Sequence, residues 1–201
     1  MSYNNMLCYN GFERKSKMKK IIRKESLKRR KSLTKDQVIE KSHTISQTII
    51  EKDIIKSKNT LIYMDFRNEV MTKELLEYTI EKYGSVLLPR VVGDVLTIHE
   101  IFSLEDMILS ELGILEPGPE NQVAIHTIDL ILAPGVAFDE MCYRLGYGGG
   151  FYDRLLSNKR KEVPVIALAF ETQIIDKVPT EPHDYKMDMV VTENRIIKPS
   201  S

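Results

Sequence analysis

Tryptophan is absent from this 201-residue chain, aromatic residues make up only 7%, and there are just two cysteines. Cys8 and Cys142 lie far apart with no CxxC spacing, which argues against a disulfide framework or a thiolate zinc site. No segment approaches the roughly 20 consecutive apolar residues of a membrane helix. Residues 1–17 lack the apolar stretch of a secretory signal, so a cytoplasmic protein with no membrane partner is expected. His43, His99, His126 and His183 are scattered without metal-ligand spacing and read as structural or surface residues. Neither GxxxxGK[ST] nor GxSxG occurs, which removes the common P-loop and the acyl-enzyme hydrolases.

What is present is ordinary for a globular chain: 42% apolar and 29% charged residues, enough for one domain with a sizeable core. Net charge is zero, yet residues 13–35 hold twelve Lys or Arg against Glu13 and Glu25. Such clustering is compatible with nucleic-acid binding, with a solvated helix face, or with one or two cations reaching a nucleotide phosphate. Aromatics for base stacking are nearly missing there, so no nucleic-acid partner is expected. Met18 followed by KKIIRKESLKRR looks like the natural opening of a chain. Residues 1–17 are then expected to be a disordered extension, and 18–201 a single domain.

The pattern of elements predicts an α/β fold. Residues 19–31 favour a helix, and Thr34 with Gln37 forms a capping box for a second one running to about Lys52, with Val38, Ile45 and Ile49 on one face. A strand at 60–64 and a helix around 73–82 follow, then strands at 85–92 and 95–101 joined by a Gly93-Asp94 hairpin turn. Residues 103–127, with EPGP at 116–119, read as irregular. Continuous apolar runs at 127–133, 163–170 and 188–191 have the character of parallel strands buried on both faces. The whole implies a layered, mainly parallel sheet with helices on both faces.

Residues 144–154, RLGYGGGFYDR, concentrate the chemistry. Gly146, Gly148, Gly149 and Gly150 free the backbone for positive φ and close ligand approach, as a phosphate cradle requires, although a tight turn alone also explains them. Arg144 and Arg154 supply positive charge, Asp153 a hard oxygen for Mg²⁺, and a helix begins after Phe151. Its GxGGG spacing is not the dinucleotide GxGxxG. PGVAFD at 134–139 and Glu69 both follow strands, where ligands bind in such sheets. Glu69 is either a surface carboxylate or a partner for an amino-pyrimidine ring. Asp184 and Asp188 are each candidates for a metal or for capping the last strand. Met64, Met71, Met141 and Tyr147 could line an apolar slot, or fill a core.

LILAPGVAFD, RLGYGGGFYDRLL, KKIIRK, FRNEV, GILEP and PHDYKMDMVVTE occur in consistent order over residues 18–195, and together they resemble the 5-formyltetrahydrofolate cyclo-ligase (5,10-methenyltetrahydrofolate synthetase) family. The resemblance implies a NagB/RpiA/CoA transferase-like fold and an ATP- and Mg²⁺-dependent ring closure of 5-formyltetrahydrofolate. By position, it implies ATP contacts from Lys19, Lys20, Ile21, Ile22 and Arg23, and from Arg144, Leu145, Gly146, Tyr147, Gly148, Gly149, Gly150, Phe151 and Tyr152. It places the folate on Met64, Glu69 and Tyr147 to Phe151, Mg²⁺ on Asp153 and Asp184, and catalysis on Arg144, Tyr152 and Asp153. One departure is Cys142, where the family usually has glycine; a positive φ there would strain it. A monomer is expected, and a sugar-phosphate isomerase or related transferase on a similar fold is the alternative.

Overall fold

The computed structural model describes the backbone of residues 3–110, 113, 115–181 and 184–199, with side chains described from residue 14 onward. In chain order the elements are α1 (Tyr3–Lys31), α2 (Lys35–Glu51), β1 (Thr60–Ile62), α3 (Lys73–Tyr83), β2 (Val86–Val92), β3 (Val95–Ile101), β4 (Met107–Leu109) and β5 (Leu115–Pro117). There follow β6 (Gln122–Val123), β7 (Leu130–Ala133), β8 (Ala137–Asp139), β9 (Arg144–Leu145), α4 (Phe151–Asn158), β10 (Val165–Leu168), β11 (Ile174–Ile175), β12 (Met189–Val191) and β13 (Ile196–Ile197).

The main sheet runs β13-β12-β10-β7-β1-β2-β3-β6. Its centre, β12 to β2, is parallel, and the pairs at either edge are antiparallel. Alternation explains how short runs of pure hydrophobics serve two layers. Ile62, Leu132 and Leu168 face α2 and α3, where Ile45, Ile49, Leu75 and Leu76 are sealed. Their neighbours Leu61, Ile131 and Ala167 face the opposite way, toward Leu155 and Leu156 of α4. Each fully buried Leu or Ile contributes roughly 1.5–3 kcal/mol, so these two layers anchor the strand ends that carry the site.

The local punctuation behaves as expected. Thr34 accepts from Gln37 N while Gln37 Oε1 accepts from Thr34 N, closing the capping box. The β2–β3 hairpin turns on Gly93 at φ 62°, in the register Val92 opposite Val95.

Three differences matter. First, α1 starts at Tyr3, so helical backbone continues through residues 3–17, where a disordered extension was expected. Residues 12–31 contain no Gly or Pro to stop the helix, and Lys15 donates to the Thr180 carbonyl at 3.2 Å. Second, the segment 103–127 is not irregular: β4 and β5 form an antiparallel pair and β6 extends the main sheet beside β3. Pro117 is tolerated at the end of such a short edge element. Third, β1 stops at Ile62, releasing Tyr63 and Met64 toward the ligand side; Tyr63 turns inward and donates to the Val70 carbonyl at 3.0 Å.

A second, three-stranded sheet, β11-β8-β9, sits beyond the end of β7. Ile22 of α1 packs against Ala137, Leu145 and Val178 there, which fixes the helix beside the glycine loop. Among the described residues no helix is long and apolar enough to cross a membrane. His183 lies outside the described residues, as does the side chain of Cys8.

Candidate active site

The turn after β1 reverses through two non-glycine residues at positive φ, Arg67 (51°) and Asn68 (58°). It delivers Glu69 into the interior, only 6% exposed. One carboxylate oxygen, Oε2, accepts from Phe66 N at 3.0 Å, and Oε1 accepts from the Tyr147 hydroxyl at 2.5 Å. That hydroxyl in turn accepts from Arg30 Nη2 at 2.5 Å, and the Arg30 guanidinium lies 3.9 Å from Glu69. Burial pushes the Glu69 carboxyl above its usual range, against the opposing pull of the Tyr147 hydrogen bond and the Arg30 charge. Glu69 is thus a buried carboxylate with a cation and a phenol beside it, not a surface charge.

The glycine loop leaves β9 at Leu145 and enters α4 at Phe151. Gly148 at φ 105° and Gly150 at φ 70° take conformations that a side chain would strain, and Gly150 is the N-cap of α4 with no side-chain cap. The loop is braced from outside: Arg23 Nε donates to the Gly146 carbonyl at 2.8 Å. Arg144, 8% exposed, pairs with Asp153 and donates to the Pro134 carbonyl at 3.3 Å. Its guanidinium also lies 5.7 Å from the Tyr152 ring centre. The Tyr152 hydroxyl is buried and finds no partner among the described residues, and burial raises both this phenol and that of Tyr147 above the usual tyrosine value.

This loop is a wall between two cavities. On one side lies a mainly apolar cavity of about 520 Å³, with Met64, Glu69, Tyr147, Phe151 and Tyr152 in its lining. On the other lies a polar cleft of about 230 Å³ lined by Lys19, Arg23, Asp153, Glu181 and Asp184. Arg144, Gly146, Gly148, Gly150 and Asp153 border both. Lys19 Nζ donates to Glu181 at 2.7 Å and to Asp184 at 2.8 Å, and these carboxylates raise its ammonium above the usual value against the effect of burial.

Not every expected residue arrives. Lys20 and Ile21 are exposed and Ile22 enters the small core, so none of the three lines the polar cleft. A helix turns about 100° per residue, which sends neighbours in KKIIR to different faces. Leu145 is buried at the cleft floor. Asp188 ties to β10, its Oδ2 accepting from Val165 N at 2.7 Å. Cys142 does hold a positive φ, 63°, and its thiol is fully buried.

Asp153 and Asp184 suit a hard cation. Among the described residues no group of three or more His, Cys, Asp or Glu could enclose an ion. Two carboxylates on a phosphate-sized cleft fit Mg²⁺, which takes few protein ligands and completes its shell with phosphate oxygens and water.

Arg30 is the residue that sequence reasoning missed. It is one of the twelve basic residues of the run 13–35, yet it is 1% exposed. The signal was its spacing: Lys19, Arg23, Ser26 and Arg30 recur at helical intervals, and Ser26 is also buried.

The 5-formyltetrahydrofolate cyclo-ligase family model matches residues 15–193. The chain belongs to the 5-formyltetrahydrofolate cyclo-ligase family. It is therefore an enzyme of the ligase class, and the isomerase alternative is set aside. The Haemophilus influenzae 5-formyltetrahydrofolate cyclo-ligase is 33% identical over 174 residues, covering 81% of this chain and 91% of that one. The mouse 5-formyltetrahydrofolate cyclo-ligase is 28% identical over 190 residues, covering 88% and 94%. Among solved structures, the Aquifex aeolicus 5,10-methenyltetrahydrofolate synthetase superposes with a TM-score of 0.82 at 28% identity, covering 92% of this chain and 94% of that one.

Proposed function

We propose that this chain, as one domain over residues 18–201, converts 5-formyltetrahydrofolate to 5,10-methenyltetrahydrofolate, with ATP cleaved to ADP and phosphate and Mg²⁺ required. The observation that carries this reading is the glycine loop shared by two unlike cavities, one apolar with a buried carboxylate and one polar, lined by cations and by Asp153 and Asp184. The reaction needs that division. A folate ring system is flat, apolar and edged with amide and amine donors, which suits Met64 and Glu69. A triphosphate needs backbone N–H groups, Lys19, Arg23 and a cation.

In this reading the formyl oxygen attacks the γ-phosphorus and ADP departs. N10 then adds to the activated carbon and loses its proton, and phosphate leaves with the former formyl oxygen. An amide oxygen is a weak nucleophile, so the enzyme's contribution is chiefly alignment and charge neutralisation. Arg144 borders both cavities, and in this reading it neutralises charge as the phosphoryl group passes between the substrates. Its pairing with Asp153 keeps that guanidinium directed into the loop until ligands arrive. Mg²⁺, held by Asp153 and Asp184, would offset phosphate charge. Phe151 and Tyr152 offer the folate their rings in the lining of the apolar cavity.

The reading is tested with purified full chain, Mg²⁺ and 5-formyltetrahydrofolate. Adding ATP should produce the methenyl chromophore together with stoichiometric ADP. Folded protein that gives neither contradicts it.

A further inference from the structure

We propose that Arg30 is a positioning residue for the folate side of the site, fixing Tyr147 and, through it, the Glu69 carboxylate in the orientation that receives the substrate's polar ring. The proposal rests on the cyclo-ligase reading above. Arg30 is 1% exposed, and one guanidinium touches three separate loops at the ligand end of the sheet. Nη1 donates to the Gly135 carbonyl after β7 at 3.3 Å, and Nη2 donates to the Arg67 carbonyl after β1 at 3.0 Å. Nη2 also donates to the Tyr147 hydroxyl of the glycine loop at 2.5 Å, and the ring centre is 5.6 Å from the guanidinium carbon. The planar fork reaches these three partners from two separate nitrogens, a spread that the single nitrogen of a lysine does not reproduce.

The chain of contacts has a direction. Arg30 donates to the Tyr147 oxygen, which leaves the phenolic proton to be donated to Glu69 Oε1. Phe66 N holds the other carboxylate oxygen. Both oxygens are thereby fixed while each keeps a lone pair for the substrate. A purely structural arginine needs only the two carbonyls; the link to Tyr147 and Glu69 belongs to the cavity. Arg30 also shares its helix face with Lys19 and Arg23, so α1 serves both substrates: its N-terminal cations face the polar cleft, and Arg30 stands behind the apolar cavity.

Groups facing Glu69 are Arg30 from α1, Tyr147 from the glycine loop, Tyr152 from α4, and Tyr63 and Asp65 from the segment after β1. Arg30 and Tyr147 favour the ionised carboxyl, whereas burial and Asp65 oppose it. Losing Arg30 raises Glu69 further, so the acid limb of kcat/KM for folate should move to higher pH.

The test is steady-state kinetics of full-length Arg30→Met and Arg30→Lys, with the two substrates varied separately across pH. Arg30→Met should raise KM for 5-formyltetrahydrofolate by about 10- to 100-fold, the range for losing a buried charge-assisted hydrogen bond. KM for ATP should stay within about twofold, since nothing on the cleft side is touched. Arg30→Lys should restore the acid limb, which depends on charge, and only part of the folate KM, which depends on the fork. Equal rises in both KM values, or an unmoved acid limb with unchanged folate KM, overturns the proposal. Should Arg30→Met not fold, Tyr147→Phe keeps both carbonyl bonds of Arg30 and removes the hydroxyl that joins Arg30 to Glu69. It should raise folate KM in the same direction, and an unchanged folate KM overturns the proposal. Wild type that makes no methenyl product refutes the cyclo-ligase reading instead, so the two failures are distinguishable.

Discussion

Glu69→Gln separates what the site needs from what the fold prefers. Glu69 is 6% exposed, and burial raises its carboxyl above the usual range despite Tyr147 and Arg30. A carboxyl raised on folding stabilises the native state below its solution value near 4.3, and that contribution is lost as pH rises through the folded value. Each pH unit between the two is worth about 1.4 kcal/mol. Glutamine mimics the protonated acid and does not titrate. Relative to wild type, Glu69→Gln should therefore gain stability as pH rises from the solution carboxyl value through the raised folded one, and stay level above it. At roughly 2–4 °C per kcal/mol for a chain of this size, a displacement of one pH unit appears as a few degrees. Function should move the opposite way. The amide offers one acceptor where Tyr147 and Phe66 N now address two, and it carries no charge for the folate ring, so folate KM should rise about 10-fold or more. The assay is the melting temperature of both proteins across pH, beside folate kinetics. A difference in melting temperature that does not change with pH, or that falls as pH rises, refutes the reasoning.

Further outcomes follow from single contacts. Asp153→Asn should keep the fold, because that carboxylate is 41% exposed, while raising the Mg²⁺ needed for half-maximal turnover; an unchanged Mg²⁺ profile contradicts its metal role. Gly150→Ala places a Cβ 2.7 Å from Arg154 Nη1 at φ 70° and should cost about 1–2 kcal/mol in urea unfolding, with loss of turnover as the loop shifts. Cys142 is pushed up to about 11 by burial, so a thiol reagent at pH 8 should leave it unmodified in folded protein; rapid labelling of Cys142 on peptide mapping contradicts this.

Much of the fold was legible because its signals are local. Thr34 and Gln37 cap α2, Gly93 and Asp94 turn the hairpin, and three continuous apolar runs mark β7, β10 and β12. The smaller elements carry no such signal. β8, β9 and β11 are two or three residues each, too short for any alternation to register, and their pairing brings Ile174 beside Phe138 across a long stretch of chain. Pro117 read as a breaker, whereas an edge position tolerates it. Within the site, the glycine loop, Glu69 and the aspartates stood out by residue type and by resemblance. Arg30 did not, because eleven other basic residues surround it and only tertiary burial distinguishes it. Lys20, Ile21 and Ile22 lie off the cleft lining for the converse reason: they are contiguous with Lys19 and Arg23 in the motif, and helix geometry turns them to other faces.

The central claim is that one glycine loop divides a folate cavity from a nucleotide cleft. It is tested most directly by crossed kinetics of Lys19→Ala and Met64→Ala in the ATP-dependent methenyl assay. Lys19 lines only the polar cleft and Met64 only the apolar cavity. Lys19→Ala should raise KM for ATP and leave KM for 5-formyltetrahydrofolate nearly unchanged, and Met64→Ala should do the reverse. Both variants shifting the same substrate, or turnover that proceeds without ATP, contradicts the account.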